Sequence, residues 1–188
     1  MRNLILLMIS LSFFVCSATA EDTLQVYRGV GGDFTLTGHN QQNVSLENYR
    51  GKVVLLTFGY TYCPDVCPLI LSALKQDMIQ LGSLKSGVQV LFVSVDPERD
   101  TPERLKEYVT YFDETFMGLT GSVDEIKKVG DLYRARYFRE ESPSIAGYFF
   151  AHTDYVYLID QDGNVRGRFK TAHDNEALLQ GIQQLLKQ

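Results

Sequence analysis

Residues 52–81 read KVVLLTFGYTYCPDVCPLILSALKQDMIQL, and the change of pattern within them decides the fold. Lys52–Tyr60 is a continuous apolar, β-branched run, as in a strand buried on both faces. Beyond Cys63 the spacing changes, and Leu71, Leu74, Met78 and Leu81 recur three or four apart along the buried face of a helix. Pro64 and Pro68 confine the start of that helix to this motif, because proline is tolerated only in a first turn. Cys63 and Cys67 therefore sit at a strand-to-helix junction, about one helical turn apart, where two sulfurs can share a face. That spacing allows either a disulfide or a two-thiolate metal clamp. A C-x-x-C at the same place would point to dithiol redox chemistry first.

Working outward, Phe34–Thr37 and Asn43–Leu46 flank a polar loop and predict a small hairpin. Val88–Val95 (VQVLFVSV) is a second central strand, ended by Asp96-Pro97. Thr101-Pro102 signals a helix start, with Leu105, Tyr108, Val109 and Phe112 as its stripe. A short strand near Thr115–Leu119 precedes Ser122-Val123-Asp124-Glu125, a capping box that opens a helix to about Tyr137. Phe138–Phe150, rich in aromatics and carrying Pro143 and Gly147, reads as a long loop. Tyr155–Asp160 and Asn164–Lys170 form a hairpin across Gln161-Asp162-Gly163, and Asp174 begins a C-terminal helix carrying Leu178, Leu179, Ile182, Leu185 and Leu186. The expected order is β-hairpin, βαβαβα, then ββα. This is one α/β domain, with no repeat or low-complexity linker to divide it.

At the N-terminus, Arg2, the apolar segment Leu4–Val15 and Ala18-Thr19-Ala20 have the pattern of a signal peptide over residues 1–20. The expected mature chain runs from Glu21 to Gln188 and is exported, to the periplasm. Bulky Val15 argues against lipid attachment at Cys16, and a retained leader would leave the chain associated with the membrane. Without residues 1–20 there are 17 basic and 23 acidic residues, a net charge of −6, and Cys63 and Cys67 are the remaining cysteines. An acidic chain without a Lys/Arg cluster offers little attraction for nucleic acid, which leaves proteins or small ions as partners. Export also places the cysteine pair where it oxidises unless a reductant or a metal holds it.

Three segments, TFGYTYCPDVCPLILSAL (57–74), SVDPERDTPERLKEY (94–108) and FFAHTDYVYLIDQDGNV (149–165), together resemble the Sco/SenC family of copper-binding proteins. The resemblance covers roughly Phe34 to Leu186. It implies a thioredoxin-like fold that binds copper through two cysteines and a distant histidine and assists assembly of the copper centre of cytochrome c oxidase. Carried over by position, the ligands are Cys63, Cys67 and His152. The implied partner is the oxidase subunit that holds the copper site, with a copper donor or a thiol reductant protein besides.

The donor types agree with copper, since thiolates suit Cu(I) and an imidazole adds affinity for Cu(II). Zinc would accept the same three ligands but normally wants a fourth. One departure is Ala151, where family members commonly carry an acidic residue just before the histidine. The competing reading is a thiol:disulfide reductase, with Cys63 attacking and Cys67 resolving, that keeps the copper-site cysteines of an oxidase subunit reduced. A structural disulfide is the bland reading, and a peroxidase ranks last because the P-x-x-x-T-x-x-C spacing is absent. Asp96, Arg99 and Asp100 either border the site or dock a partner, or else serve turns and caps. Tyr60 and Tyr62 are core or a shield over the metal, and Phe58 is core. His39 and His173 read as solvated.

Overall fold

The computed structural model describes residues 24–143 and 147–188, so the leader, Cys16 and the Glu21 start lie outside the described residues. The strands are β1 (Thr35–Gly38), β2 (Asn43–Ser45), β3 (Val53–Gly59), β4 (Val88–Ser94), β5 (Met117–Thr120), β6 (Tyr137–Glu141), β7 (Tyr148–His152), β8 (Tyr155–Ile159) and β9 (Val165–Lys170). The helices are α1 (Val66–Leu81), α2 (Pro102–Phe112), α3 (Val123–Tyr133) and α4 (Thr171–Leu185). Among the described residues no helix is long and apolar enough to cross a membrane.

β3 is buried at all seven positions and pairs in parallel with β4 from Val53↔Val88 to Gly59↔Ser94. This is the central pair of a seven-stranded sheet in the order β2-β1-β5-β4-β3-β8-β9. β5 extends the parallel core beyond β4, while β1 and β8 close it antiparallel on either side. The arrangement is the expected thioredoxin-like α/β fold with its N-terminal hairpin. It brings the carboxyl ends of β3 and β4 side by side, and in open α/β sheets the loops leaving such ends form the site. Tyr133, fully buried, packs its ring on Phe34, Phe58 and Tyr157 at centroid distances of 6.0, 6.1 and 5.4 Å, and its hydroxyl donates to the Gly32 carbonyl.

The helix starts follow their sequence signals. Pro102 occupies the first turn of α2, and the Thr101 hydroxyl accepts the Arg104 N–H. At α3 the Ser122 hydroxyl accepts the Glu125 N–H while the Glu125 carboxylate accepts the Ser122 N–H, which completes the capping box.

Two expectations need correction. The third helix ends at Tyr133, not near Tyr137, because Arg134 turns into the left-handed region (φ 53°) and the Ala135 N–H closes back on the Gly130 carbonyl. Residues 138–150 are not simply a loop: β6 and β7 form a second, two-stranded antiparallel sheet, with Tyr137 opposite His152 and Glu141 opposite Tyr148. Position 145 and its two neighbours, at the tip of that hairpin, lie outside the described residues.

Candidate metal centre

The chain leaves β3 at Gly59 and turns through Tyr60–Cys63, where the Cys63 N–H donates to the Tyr60 carbonyl. Cys63 precedes α1, half-buried, whereas Cys67 is the second residue of the helix and 1% exposed. Pro68 follows in the first turn, as the proline pattern requires. Gly59 makes room for this packing, since a Cβ there would stand 2.7 Å from the Cys67 sulfur and 2.7 Å from the Phe92 ring.

His152 arrives from the end of β7, separated from the cysteines by more than 80 residues of chain. Its Nε2 lies 3.2 Å from the Cys67 sulfur and 4.0 Å from that of Cys63. The three ligand atoms all fall within 4.8 Å of one another. A metal bound at roughly 2.3 Å from sulfur and 2.0–2.1 Å from nitrogen needs about this spacing. On the other side of the ring, Nδ1 lies 3.0 Å from the Thr153 carbonyl, which can only accept. In the neutral ring Nδ1 therefore carries the proton and the Nε2 lone pair faces the sulfurs, the tautomer a metal requires. The Tyr60 ring holds the imidazole edge-on at 5.8 Å and packs on Phe150 of β7 at 5.7 Å.

The two sulfurs share a proton unequally. A hydrogen bond from Cys67 pushes Cys63 well below the usual thiol range against the opposing effect of burial, and the contact with His152 adds to it. The same bond, together with burial, pushes Cys67 far up. The metal-free pair is thus one thiolate and one thiol, and any metal that takes both sulfurs must displace the Cys67 proton. Burial pulls His152 down, but the Cys63 thiolate facing Nε2 and the Thr153 carbonyl facing Nδ1 both favour a proton on their side of the ring, outweigh burial and leave the pKa above its ordinary value.

The flanking residues sort clearly. Phe58 and Tyr60 are core, each 1% exposed, and Tyr62 is the rim. Arg99 lies over the Tyr62 ring at 4.5 Å and the Tyr148 ring at 3.6 Å, while its Nε and the Tyr148 hydroxyl both reach the buried Asp96 carboxylate. Asp96 and Arg99 thereby clamp the start of β7 to the loop after β4, beside the expected turn in which the Asp96 carbonyl accepts the Arg99 and Asp100 N–H groups. Asp154 pairs with Lys170 at 3.5 Å. His39 is not merely solvated: its Nδ1 accepts the Gly118 N–H, with burial holding its pKa down. Nothing is described of the His173 side chain. Asp162-Gly163 is a turn, with Gly163 at φ 85° and the Asp160 carboxylate accepting the Asp162 and Asn164 N–H groups.

Sequence reasoning passed over Gly59 and Ser94. A glycine inside an otherwise β-branched strand is the signal for a close approach, and it was legible at Gly59.

A SCO1/SenC family model matches residues 23–187. The chain is 35% identical over 144 residues to an SCO2-like protein of Rickettsia conorii, covering 74% of this chain and 69% of that protein. It is 38% identical over 163 residues to the mitochondrial SCO1 homolog 1 of Arabidopsis thaliana, covering 85% of this chain but 48% of that longer protein. Among solved structures, Bradyrhizobium japonicum ScoI with copper bound superimposes with a TM-score of 0.76 at 36% identity, over 83% of this chain and 99% of that one.

Proposed function

Because the chain belongs to the SCO1/SenC family, we propose that it binds copper through Cys63, Cys67 and His152 and helps assemble the copper centre of cytochrome c oxidase. The observation that carries this reading is the convergence of two sulfurs and an imidazole nitrogen with its lone pair turned inward. Two thiolates hold Cu(I), and the imidazole extends the set to Cu(II), so one site can accept either state. The partner on this reading is the oxidase subunit that carries the copper site, and copper comes to the pair from a donor protein. Copper uptake needs reduced cysteines, which makes a thiol reductant protein the other partner.

His152→Ala tests the assignment. The variant is expected to lose Cu(II) affinity by more than about 100-fold, beyond the 10–100-fold typical of an outer-shell partner, and to lose Cu(I) affinity only mildly. Oxidase activity in a strain lacking the native gene should not be restored by it. Full restoration would favour the second reading, a thiol:disulfide reductase acting on copper-site cysteines. Cys63, held as the thiolate beside a protonated Cys67, suits that chemistry, and His152 would be dispensable to it.

The proposed setting is the periplasm, after removal of residues 1–20, leaving residues 21–188 as one thioredoxin-like domain. An intact mass beginning at Glu21 is the expected result, and a retained leader or lipid on Cys16 would overturn it.

A further inference from the structure

Behind the cysteine turn lies a buried acid that the ligand set does not use. Asp100 is 0% exposed, and both its oxygens are engaged. Oδ1 accepts the Thr61 hydroxyl at 2.6 Å, and Oδ2 accepts the Thr61 N–H at 3.0 Å and the Ser94 hydroxyl at 2.5 Å. The direction of these bonds is fixed from outside. The Ser94 oxygen already accepts the Asp96 N–H at 3.0 Å, and the Thr61 oxygen already accepts Arg104 Nε at 2.8 Å, so both hydroxyl protons point at Asp100. Three donors converge on one carboxylate; burial still raises its pKa, but the donors oppose that rise, and a bond to the charged form is stronger than its neutral counterpart.

Two of the three bonds belong to one residue, Thr61, which stands between Tyr60, the ring that holds His152, and the Tyr62–Cys63 turn. Arg104 adds a second restraint by lying over the Tyr62 ring at 4.2 Å. We infer that Asp100, acting through Thr61, is a positioning residue for the metal centre, fixing the turn that aims the Cys63 sulfur and the Tyr60 ring. The inference rests on the copper reading above and extends it to residues that touch no ligand atom.

Asparagine cannot replace Asp100 despite its shape. Its amide would meet either the Thr61 hydroxyl or the paired Thr61 and Ser94 donors with another donor, leaving buried polar groups unsatisfied. Thr61→Val removes the hydroxyl while keeping volume, and Thr61→Ser restores it.

The test uses the full mature chain, reduced, titrated with Cu(II) alone, with amide exchange of Tyr62 and Cys63 measured on the metal-free protein. Thr61→Val and Asp100→Asn are expected to lose Cu(II) affinity about 10–100-fold, with a weakened sulfur-to-copper absorption band. Exchange at Tyr62 and Cys63 should quicken at least tenfold while β3 amides hold, and Thr61→Ser should behave as the parent. If Asp100→Asn fails to fold, the two Thr61 variants decide the matter. Parent-like affinity and spectrum in Thr61→Val, or equal losses in Thr61→Ser, overturn the inference. Should the parent itself bind no copper, the proposed function falls, and the exchange rates alone then decide: quicker exchange in Thr61→Val upholds the positioning role and unchanged exchange overturns it.

Discussion

Replacing Gly59 by valine is expected to destabilise the protein and empty its metal site together. Even a single added methyl would stand 2.7 Å from the Cys67 sulfur and 2.7 and 2.9 Å from two atoms of Phe92. Neither neighbour gives way cheaply: Cys67 is held in the first turn of α1 and Phe92 is a core residue of β4, each 1% exposed. Overpacking of this kind costs about 1–3 kcal/mol, and the branched side chain belongs at the upper end. The sulfur moves most easily, so Cu(II) affinity should drop at least tenfold, with Gly59→Ala intermediate in both respects. Urea denaturation and copper titration of the two variants are the measurements. A Gly59→Val protein that unfolds and loads copper as the parent does would refute the steric account.

The second large effect lies in the contact of α1 with α4. Asp77 is 0% exposed, its Oδ1 accepts the Asn175 amide at 3.1 Å, and neither Asp77 Oδ2 nor Asn175 Oδ1 has a hydrogen-bond partner. Burial pushes the Asp77 carboxyl up to about 6 from the ordinary 3.8, with the Asn175 bond opposing. The folded pKa is above the unfolded one, so this group favours folding fully below about pH 4. The advantage is lost as pH rises through about 6. At roughly 1.4 kcal/mol per unit the loss amounts to about 2–3 kcal/mol. Asp77→Asn should flatten the dependence and be the more stable protein at pH 7.5, since its amide can donate to the orphaned Asn175 oxygen. Unfolding free energies at pH 4.5 and 7.5 decide it, and an equal pH dependence in parent and variant would count against the assignment.

The parts of the molecule that were legible in the sequence are those where one residue type has one use. β3 and β4 announce themselves through unbroken apolar runs, and the starts of α2 and α3 through Pro102 and the Ser122–Glu125 box. Cys63 and Cys67 stand out by spacing alone. His152 does not: an isolated histidine carries no signal, and its role came from the resemblance of the segments around it. β6 was missed because Tyr137–Glu141 is largely exposed and does not alternate, so its strand character comes only from pairing with β7. Asp100 was legible only as an acid that borders the site or serves a turn. Its partners Thr61 and Ser94 close the network only when β3 and β4 run side by side.

The strand order has a last consequence, for what the chain does in the company of its own copies. An open sheet leaves unpaired backbone at its margins, a template for association. Three of the four outer strands are blunted, each differently. β2 is three residues long. Outside β9 runs the segment at Leu24–Tyr27, whose backbone takes the Arg166 guanidinium at Leu24 and gives the Tyr27 N–H to Val165. β6 carries Arg139, Glu140 and Glu141, exposed and of mixed sign. Brevity, cover and charge thus each remove one place where a second molecule could add a strand, at β2, at β9 and at β6.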